Sequence, residues 1–112
     1  MTLYLFDYNG TLNTLSDPTG FLRDLRVVDP GCQIVLVTGS EPEDIDKAVL
    51  AAVDEFWAKP CFYPDMVKGT PNRLVYADDE ALMRRATARM FRSADFEVDV
   101  IAPEGLQGLL AG

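Results

Sequence analysis

The sequence contains no histidine and only two cysteines among its 112 residues. The missing histidine excludes a histidine general base, a serine–histidine–aspartate triad and histidine metal ligands. Cys32 and Cys61 do not form a CxxC pair, so we expect free thiols in a reducing compartment rather than a disulfide. The sequence also lacks an apolar run of membrane-spanning length and a signal-peptide pattern at its start. We therefore expect a cytoplasmic protein that does not act at a membrane.

Basic residues are scarce, with 10 Lys and Arg against 18 Asp and Glu, which gives a formal net charge of -8. Such a chain is repelled by nucleic acids and by anionic membranes, so neither is expected as a partner. The one basic cluster is Arg84, Arg85, Arg89 and Arg92, which we interpret as the solvated face of a predicted helix. Length and an ordinary globular composition predict that residues 1–112 form one domain.

Five short apolar runs predict five β-strands, and helical patterns separate most of them. The predicted strands are Leu3–Phe6, Gln33–Val37, roughly Cys61–Tyr63, Leu74–Ala77 and Val98–Ala102. The predicted helices are Pro18–Val27, Ser40 to about Phe56, Asp79–Phe91 and Glu104–Leu110. This alternation predicts an α/β fold, a three-layer α/β/α sandwich around a five-stranded parallel sheet.

Polar side chains follow three of these strands at the point where each strand ends. The first strand ends at Asp7, the second in residues 38–40 (Thr-Gly-Ser), and the fourth in residues 78–79 (Asp-Asp). In a parallel sheet these ends meet at one edge, where the sites of open α/β sheets lie. Neighbouring carboxylates repel one another unless a cation lies between them, and hard oxygen ligands suit Mg²⁺. A hydroxyl from Thr38 or Ser40, with a backbone N–H at the following helix, could hold a phosphate oxygen.

Two lysines are candidates to neutralise the remaining charge at this edge. Lys68 lies in the turn 66–70, just before the fourth predicted strand, and Lys59 lies just before the third. We prefer Lys68 because its loop precedes the fourth strand, and Lys59 stays open as the alternative.

The motifs resemble, in type and in order, those of the haloacid dehalogenase (HAD) superfamily. The matching segments are 7–12 (DYNGTL), 37–40 (VTGS), a lysine, and 77–79 (ADD). The resemblance implies a Rossmann-like HAD fold and phosphoryl transfer through an aspartyl-phosphate, with Mg²⁺ as cofactor. It implies Asp7 as the nucleophile. The implied metal ligands are Asp7, the Asn9 backbone carbonyl, Asp78 and Asp79. The implied phosphate ligands are Thr38, Gly39 and Lys68, and Lys68, or Lys59 in its place, would also steady the nucleophile.

Asn9 departs from the family pattern, in which this position is usually a second aspartate that protonates the leaving oxygen and then activates water. An amide cannot transfer a proton in this way at neutral pH. Three interpretations follow: a slow phosphohydrolase, a long-lived phosphoenzyme, or a catalytically degenerate module that binds a ligand or partner. We favour the slow phosphohydrolase with impaired acid–base catalysis.

Only 30 residues separate Asp7 from Thr38, which is too few for the cap domain that closes many family active sites. We therefore expect a HAD-like domain without a cap and an open site. An open site suits a large phosphorylated substrate, or else a second subunit closes it, so a homo-oligomer stays an open alternative.

Overall fold

The computed structural model describes residues 1–59 and 62–111, and five strands in those ranges form one parallel sheet. The strands are β1 (Thr2–Asp7), β2 (Gln33–Thr38), β3 (Glu55–Ala58), β4 (Arg73–Ala77) and β5 (Glu97–Ile101). The α-helices are α1 (Pro18–Val28), α2 (Lys47–Ala52) and α3 (Ala81–Arg92). Short 3-10 helices cover Leu12–Thr14, Pro42–Asp44, Pro64–Met66 and Pro103–Leu110.

The strand order across the sheet is β3-β2-β1-β4-β5, and every neighbouring pair is parallel. The chain moves outward from β1 through β2 to β3, and then returns to the other side of β1 for β4 and β5. The order therefore reverses at β1, and a crevice forms beyond the carboxyl ends of the strands at such a point. The predicted α/β fold with a five-stranded parallel sheet is confirmed.

Alternate strand residues point to opposite faces of the sheet, so two apolar layers form. On one face Phe6 and Leu36 pack in a cluster that includes Leu22 of α1. On the other face Leu5 packs in a cluster that includes Phe91 of α3. Because both faces are covered, the strands read as nearly continuous apolar runs rather than as alternating ones. The three predicted layers are present.

Two predicted helices lie close to their expected positions. α1 begins after Asp17, whose carboxylate accepts a hydrogen bond from the Gly20 amide at 3.0 Å, and Pro18 occupies its first turn. α3 begins two residues later than predicted and ends at Arg92. The predicted C-terminal helix is a 3-10 helix over Pro103–Leu110. No helix in the described ranges is both long and apolar enough to cross a bilayer.

The second predicted helix is wrong in its extent. Residues 40–46 form a 3-10 turn and extended backbone, and only Lys47–Ala52 is α-helical. α2 begins at this point because the Asp46 carboxylate caps it, accepting a hydrogen bond from the Ala48 amide at 2.9 Å. The apolar residues of this region are spaced as in a helix, but they lie partly in a turn and only partly in α2.

The third predicted strand is also wrong in position, because β3 covers Glu55–Ala58. Asp54, the residue before β3, fixes where this strand begins. Its backbone amide donates a hydrogen bond to the Ile34 carbonyl, and its carboxylate accepts one from the Ile34 amide. Both bonds are 2.8 Å long. These bonds bring Trp57 opposite Val37 of β2. Of the predicted strand, Cys61 lies outside the described residues, and Phe62 and Tyr63 precede a 3-10 turn.

Candidate active site

The carboxyl ends of β1, β2 and β4 bring three of the predicted site residues together. In the sheet register Asp7 lies opposite Val37, and Phe6 lies opposite Ala77. Thr38 is the last residue of β2 and Asp78 directly follows β4, so both lie beside the end of β1. The exposed fractions of Asp7, Thr38 and Asp78 are 3%, 1% and 0%. Two buried carboxylates at one sheet edge require compensation by cations or hydrogen bonds.

Lys59 supplies a cation between these carboxylates. Its Nζ lies 2.7 Å from Asp7 Oδ1 and 2.7 Å from Asp78 Oδ2, and its side chain is 15% exposed. The residue directly follows β3, and its backbone N–H donates to the Thr38 carbonyl at 3.0 Å. The β3–β2 pairing therefore carries Lys59 to the same sheet edge as Asp7.

Lys68 does not reach this cluster, which corrects the preference for it over Lys59. Its ammonium lies 2.6 Å from Glu55 Oε1, and its side chain is 79% exposed. Its carbonyl accepts a hydrogen bond from Gln33, the first residue of β2. Lys68 therefore lies at the amino edge of the sheet, across from the candidate site.

Further hydrogen bonds hold the two buried carboxylates in place. Asp7 Oδ2 accepts from the Thr11 hydroxyl at 2.9 Å. Asp78 Oδ2 accepts from the Tyr76 hydroxyl as well as from Lys59, and Asp78 Oδ1 accepts from the Glu80 amide at 2.9 Å. Asp78 thus has three protein donors and is the more firmly fixed of the two.

The two carboxylates differ in their affinity for a proton. Burial raises the pKa of Asp7 to about 6, and the nearby Asp78 charge adds to the rise, although hydrogen bonds from Lys59 and Thr11 oppose it. Burial also acts to raise the pKa of Asp78, but hydrogen bonds from Lys59 and Tyr76 lower it below its usual range. Burial acts to lower the pKa of Lys59, and its two carboxylate partners raise it above its usual range. Lys59 therefore stays charged at neutral pH.

A third carboxylate, Asp79, completes a cluster that fits a divalent cation. One oxygen from each of Asp7, Asp78 and Asp79 lies within 4.8 Å of the others. Oxygens on one Mg²⁺ lie roughly 3–4 Å apart, since each Mg–O distance is about 2.1 Å. Asp79 is exposed, whereas Asp78 already has three protein donors. The donor set therefore suits Mg²⁺, with Asp7 and Asp79 as its most available side-chain oxygens.

The loop after β1 is shaped around Asp79. Gly10 has φ of +80°, and a Cβ at this position would lie 2.5 Å from Asp79 Oδ2. A larger residue would therefore push the carboxylate away or change the turn. On the same loop the Asn9 amide donates to Ser40 Oγ, and Asn9 Oδ1 accepts from Asn13 Nδ2 at 3.5 Å. Asn9 thus joins the β1 loop to the β2 loop at the rim of the site.

Three residues that donate hydrogen bonds in the site were not identified from the sequence: Thr11, Tyr76 and Arg84. Arg84 Nη1 donates to the Asp78 carbonyl at 2.6 Å. Tyr76 could have been identified from the sequence, because it precedes Asp78 by two positions and residues i and i+2 of a strand share a face. Thr38 lies where predicted, with its Oγ1 accepting from the Ser40 amide at 3.1 Å. The roles of Gly39 in phosphate binding and of the Asn9 carbonyl in metal binding stay predictions.

The fold has a counterpart of known structure. No family model matches the sequence, and no curated protein matches it significantly. A solved structure that does match is the HAD domain of the effector protein Lem4 from Legionella pneumophila, with a TM-score of 0.67 and 12% sequence identity. The match covers 98% of this chain and 94% of that chain. The chain therefore has a HAD-like fold. A match at 12% identity shows the fold alone.

Proposed function

We propose that this protein is a Mg²⁺-dependent phosphohydrolase of the HAD type that acts through an aspartyl-phosphate on Asp7. The observation that carries the proposal is the buried Asp7–Lys59–Asp78 arrangement, in which Nζ lies 2.7 Å from each carboxylate, beside Asp79. Such an arrangement holds a carboxylate in one orientation at the mouth of a sheet without removing its charge. The HAD-like fold and the reversal of strand order at β1, beside which these residues lie, support the proposal.

In the first step a carboxylate oxygen of Asp7 forms a bond to phosphorus as the ester P–O bond breaks. The leaving oxygen takes its proton from water. Lys59 stays protonated and offsets the negative charge of the carboxylates and the phosphoryl group. Asp7, Asp79, the Asn9 carbonyl and the remaining lone pair of Asp78 are the groups that would hold Mg²⁺. When bound, the ion would polarise the phosphoryl group and offset its charge.

Thr38 is the candidate phosphate donor from β2. Its Oγ1 already accepts a hydrogen bond from the Ser40 amide, so its hydroxyl hydrogen is available to a phosphate oxygen. Thr38 as a whole residue is 1% exposed. A Cβ at Gly39, the next residue, would have nothing within 4 Å, which leaves room for a substrate to approach the backbone.

The second step, hydrolysis of the aspartyl-phosphate, is expected to be slow. The Asn9 amide is held by Ser40 and Asn13 at the rim of the site and cannot remove a proton from water. General acid–base help is typically worth a factor of about 10²–10⁴. The same observation favours a second candidate, a degenerate module that keeps the fold and binds without turnover.

Phosphate release from an aryl phosphate with Mg²⁺ tests the proposal. We expect Asn9→Asp to raise the steady-state rate by about 10²–10⁴, and Asp7→Asn to abolish it. Asn13→Asp is the matched control, since it places a carboxylate on the same loop beside Asn9 but not at the second position after Asp7. Its rate should stay near that of the unmodified protein. If neither the natural chain nor Asn9→Asp releases phosphate, the binding module is the better account.

A further inference from the structure

Four arginines line one groove on the surface of α3 and β5. Arg84, Arg85, Arg89 and Arg92 surround a cavity of about 580 Å³ together with three small or apolar residues. Those three residues are Ala88, Ser93 and Val100. We refer to these seven residues as the arginine groove.

The groove arginines differ from the other basic residues in their pairing. Five of the six lysines and arginines elsewhere lie within 4 Å of a carboxylate. Within residues 1–59 and 62–111, none of the four groove arginines makes such a pair. An acidic chain with a net charge of -8 thus leaves its largest group of cations without a carboxylate partner among the described residues.

Two of the four arginines are anchored by backbone bonds. Arg84 Nη1 donates to the Asp78 carbonyl at 2.6 Å, and Arg92 Nη2 donates to the Val98 carbonyl at 3.0 Å. Each guanidinium has five N–H donors, so both keep donors for a ligand. Arg85 and Arg89 lie exposed between them. Anchored guanidinium groups lose less side-chain entropy on binding than free ones.

The groove has the dimensions of a short extended peptide. Arg84 and Arg92 are eight residues apart on α3, which separates them by about 12 Å along the helix axis. An extended chain rises about 3.3 Å per residue, so roughly four residues cover this distance. β5 is an edge strand of the sheet, and the side chain of Val100 on it is partly exposed to the groove.

We propose that the arginine groove binds a short acidic segment of a partner polypeptide. Guanidinium groups recognise carboxylates in a bidentate geometry, which suits aspartate and glutamate side chains. A single-stranded nucleic acid fits less well, because no aromatic side chain among residues 1–59 and 62–111 lines the groove to stack on a base. This proposal goes beyond the interpretation of the four arginines as a solvated helix face.

The groove adjoins the candidate active site, because Arg84 is bonded to the backbone of Asp78. If the partner binds its acidic segment here, a phosphorylated residue next to that segment would lie beside Asp7. The partner would then be a phosphoprotein substrate. That extension rests on the proposed function. Binding of the acidic segment itself requires no catalysis, so it is tested separately.

Fluorescence anisotropy with a labelled hexaglutamate peptide tests the binding. The matched variants are the double charge reversal Arg85→Glu/Arg89→Glu and the control Arg23→Glu, an exposed arginine of α1. We expect saturable binding that the double reversal weakens by roughly tenfold or more, and that the control changes by less than about twofold. Asp7→Asn should bind as well as the natural chain, which separates docking from catalysis.

Three outcomes would overturn the proposal. They are no saturable binding of hexaglutamate, an equal loss in Arg23→Glu, and tighter binding of a labelled hexathymidine than of the peptide. A hexaglutamine peptide should not bind, and binding equal to that of hexaglutamate would also overturn it. If the double reversal does not fold, as judged by circular dichroism, single Arg85→Gln and Arg89→Gln variants take its place.

Discussion

Replacing Lys59 with methionine tests the electrostatics of the site directly. The substitution keeps an unbranched side chain of similar length and removes the ammonium that Asp7 and Asp78 share. Lys68→Met is the matched comparison, because Lys68 is exposed and pairs with Glu55 rather than with a site carboxylate. The two variants make the same chemical change at opposite edges of one sheet.

The expected loss follows from burial of the carboxylates left behind. The Asp7 and Asp78 side chains are 4% and 0% exposed, so without Lys59 two buried carboxylates lose their cation. Removing one partner of a buried ion pair costs about 3–5 kcal/mol. Lys59 is itself 15% exposed and water reaches it, so we expect the lower end, about 3 kcal/mol. For a domain of this size that lowers Tm by roughly 10–15 °C. Lys68→Met should leave Tm unchanged.

The loss should depend on pH in a defined direction. The pKa of Asp7 is already raised from 3.8 to about 6, and removing Lys59 removes a group that lowers it. A carboxyl group with a raised folded-state pKa favours the folded state fully below its unfolded pKa, and this benefit is lost as pH rises through the folded-state pKa. The destabilisation in Lys59→Met should therefore be smaller near pH 4, where Asp7 is protonated and only Asp78 loses its cation, and complete only above about pH 6.

Urea unfolding followed by circular dichroism at pH 4.5 and pH 8 measures these differences. We expect Lys59→Met to lose much more stability at pH 8 than at pH 4.5, and Mg²⁺ to restore part of the loss by replacing the positive charge. Equal losses in Lys59→Met and Lys68→Met would refute the assignment of Lys59. So would a Lys59→Met loss that is the same at both pH values.

Two further predictions concern the β1 loop and the sheet core. Gly10→Ala and Gly31→Ala both place alanine at positive φ and should each cost about 1–2 kcal/mol in urea unfolding. Only the Gly10 variant meets Asp79, so only it should weaken Mg²⁺ binding measured by calorimetry, and equal affinities would contradict this. Burial and a hydrogen bond to Asp29 raise the pKa of Tyr4 from 10.0 to about 12. The folded state therefore gains stability below pH 10 that is lost as pH rises to about 12, and Tyr4→Phe should show a shallower alkaline loss in thermal melts.

The sheet could be predicted because β1, β2 and β4 are strongly apolar and each ends at or just before a polar residue. β3 could not, because it is a short edge strand of Glu55–Ala58 in which only Trp57 is fully buried. Phe56 continues the helical spacing of Val49 and Val53, so periodicity alone extends α2 into the strand. The position of β3 depends instead on Asp54 bonding to the backbone of β2, which is a tertiary contact.

The error in the position of β3 also explains why the sequence did not favour Lys59 as the lysine of the site. If the strand began near Cys61, Lys59 would precede it and lie at the amino edge of the sheet. With the strand at Glu55–Ala58, Lys59 follows it and reaches the carboxyl edge beside Asp7. Asp7 and Asp78 needed no such information. Each follows a continuous apolar run, and the direction of that run in a parallel sheet sets the edge at which it ends.

The central claim is that Asp7 becomes phosphorylated, and peptide mass spectrometry after an acid quench measures this directly. The chain is incubated with an aryl phosphate and Mg²⁺, digested and analysed for one added phosphoryl group. We predict that the group is found on Asp7 in the natural chain, is absent in Asp7→Asn, and is less abundant in Asn9→Asp because hydrolysis is faster there. Absence of a phosphoryl group from Asp7 in both the natural chain and Asn9→Asp would contradict the account.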